Sequence, residues 1–304
     1  MEIKPVNSIE QKIDLSFGQL SVQFYGDIEK PWLFCLHGWL DNSASLECLA
    51  QPLAGDFYLL LIDFPGHGKS EPLPIGADYY IWQYVEVLHE LLQHQALKAD
   101  IVDKPVHLLG HSLGGIVASL YAGTYPDRVA SVVMLDSLGP AATSADQTPA
   151  QLAKGIADKQ RIGSGLRIFS SVDDALAARK KSSPAMSDQA LLPIVLRNLV
   201  KRTESEPRMA SAEVGYSWRT DKRLRYVSKV RLTEEQIQAF FTAIKAPVLV
   251  VFAEQGIIPK TWQTLRLPYF ANVQQVTLPG HHHFHCEQGA VVGIATAIRS
   301  FYAV

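Results

Sequence analysis

Short apolar runs recur along the chain at positions 32–38 (WLFCLHG), 58–64 (YLLLIDF), 106–110 (VHLLG), 132–136 (VVMLD) and 247–253 (PVLVVFA). They are nearly continuous rather than alternating, which is the pattern of parallel strands buried on both faces. The segment 13–27 reads as an initial hairpin, and VQQVTL (273–278) as a last strand. Between these runs the apolar spacing turns helical at 81–95 and 115–125, with Pro126 and Asp127 marking a stop, and again at 290–302. Strands alternating with helices predict a largely parallel sheet with helices on both faces.

The rhythm breaks between about residues 141 and 243. That stretch lacks strand-like runs, is rich in Ala, Lys, Arg and Gln, and carries Pro149, Pro184, Pro193 and Pro207. The sheet pattern resumes at Pro247. The expected organisation is therefore one core built from residues 1–140 and 244–304, interrupted by a helical cap insertion at 141–243.

Charge sharpens this division. Residues 150–245 hold 18 Lys and Arg against 10 Asp and Glu, a net of +8, while the remainder nets −10 and the whole chain −2. A near-neutral total excludes bulk electrostatic attraction to nucleic acid. The local excess reads either as solvated helix faces or as a basic cover that draws an anionic acyl substrate to an acidic core. With 304 residues, 47% of them hydrophobic, the chain can bury a sizeable core. No run approaches the roughly 20 apolar residues that cross a bilayer. The first residues, MEIKPVNSIEQKIDL, show no secretory pattern, and the three cysteines Cys35, Cys48 and Cys286 have no metal-ligand spacing. A reducing compartment, by default the cytoplasm, is expected. The sequence gives no oligomeric state.

Chemistry concentrates at three strand ends. Gly110-His111-Ser112-Leu113-Gly114 lies between a strand and a helix, the context that makes G-x-S-x-G a nucleophile signal. The turn must be sharp, so small residues two before and two after Ser112 avoid collisions, and the following helix N-terminus favours developing negative charge. After the earlier strand, the turn at His37-Gly38-Trp39 can aim a backbone N–H at a carbonyl oxygen; Trp39 is the first candidate donor and Leu113, after the nucleophile, the second. Asp63–Ser70 is a turn-rich segment expected to order the loop floor, with His67 as a hydrogen-bonded loop residue. After the last strand comes His281-His282-His283-Phe284-His285. A serine nucleophile needs a base that titrates near working pH, so one of these four histidines is the candidate. Clustered histidines also bind transition metals. Neighbours on one extended loop point in different directions, however, so no metal is expected.

HGWLDN (37–42), DFPGHGKS (63–70), GHSLGG (110–115) and DSLGP (136–140) together resemble the α/β-hydrolase superfamily, most closely its serine hydrolase-like (Kraken-type) group. The resemblance spans nearly the whole chain. It implies an α/β-hydrolase fold, a serine esterase reaction through an acyl-enzyme, a small-molecule acyl substrate and no cofactor. Members commonly carry G-H-x-x-H-x-E after the last strand. Laid on Glu287, that pattern makes His282 catalytic and His285 the second histidine, while His281 stands where the family has glycine. The family's acid usually follows the strand after the insertion, but its position here is Gly256. Other members place it at the end of the strand before the insertion, which is Asp136; Glu254 is the runner-up. Thioester, lactone or carbon–carbon bond hydrolysis uses the same groups, and the glycine at 256 leaves a non-catalytic ligand binder as the competing class.

Overall fold

A computed structural model of the chain describes residues 8–95, 97, 104–161, 167–202 and 215–302. Eight strands form one sheet: β1 (Ile9–Leu15), β2 (Gly18–Tyr25), β3 (Trp32–Leu36), β4 (Tyr58–Ile62), β5 (Val106–His111), β6 (Val129–Leu135), β9 (Val248–Gln255) and β10 (Val273–His281). Their order is β1-β2-β4-β3-β5-β6-β9-β10. β1 and β2 form the expected antiparallel hairpin, and β2 meets β4 antiparallel. All remaining neighbours are parallel.

The continuous apolar runs split by parity between two cores, as the period of 2 along a strand requires. Phe34, Leu60, Met134 and Val250 enter the cluster on one face, under α2 (Ile81–Gln93), α3 (Leu113–Thr124) and α7 (Glu234–Ala243). Cys35, Leu61, Val133 and Val251 enter the other, under α1 (Glu47–Leu53) and α9 (Gln288–Tyr302). Both faces are covered along the central strands β3, β4 and β6, which need no polar row, whereas the edge strands β1 and β10 expose polar side chains such as Glu10, Gln274 and Thr277. α3 and α9 each begin two residues before the expected start. For α3 the cause is the turn: β5 ends at His111 and α3 starts at Leu113, leaving only Ser112 between them.

Between β6 and α7 lie α4 (Thr148–Arg161), α5 (Val172–Lys180) and α6 (Asp188–Asn198). Helices alone were expected here, but β7 (Leu199–Arg202) and β8 (Gly215–Trp218) form a two-stranded antiparallel ribbon, joined by a bridge from Phe169 to Tyr216. Strands of four residues flanked by charge carry too little periodicity to be read. Phe169, Met186, Leu191, Ile194 and Val195 form a third, smaller core within this segment. Pro207 lies outside the described residues. α7 packs on α3, with Ile237 and Phe241 in the main core.

The segment's basic side chains meet carboxylates of the sheet region. Arg197 on α6 is 2.9 Å from buried Asp63 and 2.8 Å from Glu10, and Arg179 on α5 is 2.8 Å from buried Asp41. Lys159 and Lys229 both reach Asp78. Its charge is thus complementary to the surface it lies on. No helix among the described residues is long and apolar enough to cross a membrane. The three cysteines are free.

Candidate active site

Ser112 caps α3 with φ 49° and ψ −112°, a strained conformation for a residue with a side chain. Its N–H donates to Leu135 O at 3.1 Å and its carbonyl accepts from Ser137 Oγ at 2.8 Å, so β6 holds the elbow from both sides. The flanking glycines are sterically required: a Cβ on Gly110 would lie 2.2 Å from the Gly114 carbonyl carbon, and one on Gly114 would lie 2.0 Å from Leu36 O. Ser112 is half-buried, and its hydroxyl forms no hydrogen bond among the described residues.

The histidine-rich loop leaves β10 through a register shift between Leu278 and His281, with Gly280 at φ 130°. That irregularity brings His282 over the end of β6. His282 Nδ1 is 2.6 Å from Asp136 Oδ2, the pairing that fixes an imidazole tautomer with Nε2 free for proton transfer. Asp136 is buried and has φ 41°. Its carboxylate also accepts from Ala253 N at 3.3 Å and Ile257 N at 3.0 Å. These bonds keep the carboxylate in place and leave one oxygen facing the histidine.

The geometry explains Gly256. A Cβ there would lie 2.1 Å from Asp136 Oδ1, so the Asp136 carboxylate fills the space that a side chain at 256 would take. Glu254 is exposed near the end of β9 and is not brought to His282.

On the other flank, Leu40 at φ 61° closes the turn that begins at Gly38, and Asp41 N donates to Gly38 O at 3.1 Å. Leu40 N donates to His67 Nε2 at 3.2 Å, and Phe64 N donates to His37 Nε2 at 2.9 Å. His67 is therefore a buried acceptor in the loop floor, and burial followed by the charge of His37 pushes it down to about 3. Asp63 accepts from Ser43 N and Lys69 N, both at 2.8 Å, ordering the same floor. The amides of Trp39 and Leu113 donate to no protein acceptor among the described residues, which leaves both available for an oxyanion. Trp39's indole Nε1 donates to Leu224 O at 2.9 Å, linking this turn to the inserted segment.

Four further histidines crowd the site. His111 Nε2 is 2.9 Å from His282 O, and its ring centroid lies 3.9 Å from that of His285 and 4.6 Å from that of His282. Burial, then the neighbouring imidazoles, holds His111 and His285 well below the usual histidine range. A neutral His111 donating from Nε2 ties the residue before Ser112 to the loop that holds His282. His283 Nε2 is 3.4 Å from Asp41 Oδ2 and His281 Nε2 is 3.4 Å from Glu287 Oε1. Burial alone would raise the Asp41 carboxyl, but His283 and Arg179 outweigh it and hold it low. Sequence reasoning missed Asp41 and Arg179; the available signal was a carboxylate inside the otherwise uncharged HGWLDN turn. Among the described residues no histidine, cysteine or carboxylate group has the arrangement of a metal site.

A parallel sheet with a serine elbow after β5, an acid–histidine pair at the ends of β6 and β10 and free amides between them defines an α/β hydrolase. The chain belongs to the α/β-hydrolase fold family, whose profile matches residues 31–290. It is 27% identical over 294 residues to a serine hydrolase-like protein of Danio rerio, covering 91% of this chain and 83% of that one. It is 38% identical over 144 residues to a pimeloyl-[acyl-carrier protein] methyl ester esterase of Aeromonas salmonicida, covering 47% of this chain and 49% of that one. The crystal structure of a hypothetical protein from Pseudomonas aeruginosa PAO1 superposes with a TM-score of 0.86 at 29% identity, over 97% of this chain and 99% of that one.

Proposed function

We propose that the protein is a serine hydrolase that cleaves a carboxylic ester through an acyl-enzyme on Ser112. The observation that carries this is the 2.6 Å contact between His282 Nδ1 and Asp136, beside a strained serine elbow. Ser112 Oγ attacks the ester carbonyl carbon while His282 Nε2 takes its proton, and Asp136 stabilises the imidazolium. The Trp39 and Leu113 amides hold the oxyanion. Collapse of the tetrahedral intermediate expels the alcohol, which receives the proton from His282. Water then attacks the acyl-enzyme by the same route, releasing the acid and restoring Ser112.

Residues 141 to about 232, fewer than the expected 141–243 because α7 packs into the main core, act as the cap over this site, with a small core of their own side chains and docking contacts to Asp41, Asp63 and Asp78. The similarity to a methyl ester esterase favours an ester over a thioester, lactone or carbon–carbon bond. Core carboxylates hold Arg179, Arg197, Lys159 and Lys229, so these charges serve docking before they serve an anionic substrate. The cytoplasm is the proposed location.

Hydrolysis of p-nitrophenyl acetate and butyrate by wild type, Ser112→Ala, Asp136→Asn and Glu254→Gln tests the assignment. Ser112→Ala should be inactive, Asp136→Asn severely impaired and Glu254→Gln close to wild type. A crippled Glu254→Gln beside an intact Asp136→Asn would move the acid to β9. Equal rates for wild type and Ser112→Ala would remove the serine from the chemistry.

A further inference from the structure

Asp41 is a fully buried carboxylate that the proposed reaction does not use, yet it touches three parts of the site. It lies two residues after Trp39, in the turn closed by its own N–H on Gly38 O. Its Oδ1 accepts from Arg179 Nη2 at 2.8 Å, and Arg179 also approaches Leu40 O at 3.5 Å. Its Oδ2 faces His283 Nε2 at 3.4 Å and His111 Nδ1 at 3.8 Å. Arg179 comes from the last turn of α5, and His283 is the immediate neighbour of His282.

The turn needs such support. Leu40 stands at φ 61°, a strained conformation that a leucine keeps only where its surroundings impose it. His67 holds the Leu40 N–H on one side. On the other side, Trp39 and Asn42 bond the inserted segment alone, while among the described residues only the Asp41 carboxylate meets both that segment and the loop of His283.

We propose that Arg179, Asp41 and His283 form a positioning relay that couples the seating of α5 to the aim of the Trp39 amide and the base loop. Resting on the hydrolase reading above, this makes turnover depend on the inserted segment being docked. Arg179 is then a positioning residue about which the site closes, without touching substrate.

The test is the kinetics of Ser112 modification by a fluorophosphonate probe on the full chain, reading the saturated rate and the half-saturating concentration separately. Asp41 stays in place in every variant, so the buried carboxylate is never deleted. Arg179→Met and His283→Gln should each slow the saturated rate by about tenfold to a hundredfold, the cost of misplacing a reacting group by about 1 Å, at a half-saturation within about twofold of wild type. Arg179→Lys, which restores the charge, should recover most of that loss; a merely structural arginine would give no such split and no such rescue. Should Arg179→Met unfold, His283→Gln, at a side chain 18% exposed, carries the test alone. Wild-type saturated rates in both variants, or a lysine variant as slow as methionine, would overturn the relay while leaving the hydrolase reading intact. Failure of the probe to modify wild-type Ser112 would instead bring down the hydrolase reading, and the relay with it.

Discussion

Replacing Gly256 with alanine should disable the site although residue 256 does no chemistry. An alanine Cβ would stand 2.1 Å from Asp136 Oδ1 and 2.6 Å from both Cγ and Oδ2, where ordinary contact begins near 3.4 Å. One partner must therefore give by more than about 1 Å. The Asp136 backbone is poorly placed to yield, because its N–H bonds Val251 O at 2.8 Å and its φ is already 41°. The carboxylate must rotate instead, losing Ala253 N, Ile257 N and His282 Nδ1. A displacement of that size costs on the order of 10²-fold in turnover. Gly256 is not in the left-handed region, so the carboxylate alone excludes a side chain there. It follows that Gly256→Asp should be harmful in the wild type but should restore activity to Asp136→Ala, whose empty space it fills with an equivalent carboxylate. The assay is steady-state ester hydrolysis across the four combinations. Additive losses in the double variant, or an unimpaired Gly256→Ala, would refute the view that Asp136 occupies the acid's place from β6.

Acid should weaken the fold through its buried histidines. His67, pushed down to about 3, stays neutral in the folded chain while the unfolded one protonates near 6.5, so its contribution is complete above about 6.5 and lost as pH falls towards 3, at about 1.4 kcal/mol per pH unit. His111 and His285 shift in the same direction, so Tm should decline from pH 7 to pH 5; a flat profile would contradict their neutral burial. Arg197→Met should destabilise by about 3 kcal/mol in urea titration, because it strands a fully buried Asp63; a change under about 0.5 kcal/mol would show that pair to be inert. Since core carboxylates occupy Arg179, Arg197 and Lys159, kcat/KM for neutral and anionic esters should respond alike to added salt. A fall confined to the anionic ester would reveal steering by the basic segment.

Much of the core was legible because burial on both faces leaves an unambiguous mark. Runs such as YLLLI became strands whose alternate residues feed two cores. The elbow was equally readable, because a helix starting one residue beyond a strand tolerates only small residues around Ser112. The carboxylate partner of His282 was half legible: glycine at 256 showed where a carboxylate was missing, but only the fold brings Asp136, 146 residues before His282, to 2.6 Å from it. The ribbon of β7 and β8 was hidden by its brevity. Arg179 was hidden because a cluster such as Arg179-Lys180-Lys181 at a helix end looks the same whether its charges face water or a buried aspartate 138 residues away.

An activated Ser112 served by His282 should react covalently with an organophosphorus electrophile. Mass spectrometry of the chain after incubation with a fluorophosphonate probe tests it most directly. A single phosphonyl adduct is expected on the peptide holding Ser112, formed rapidly by wild type, suppressed in His282→Ala and absent from Ser112→Ala. An adduct on another residue, or one on Ser112 that forms as fast without His282, would contradict it.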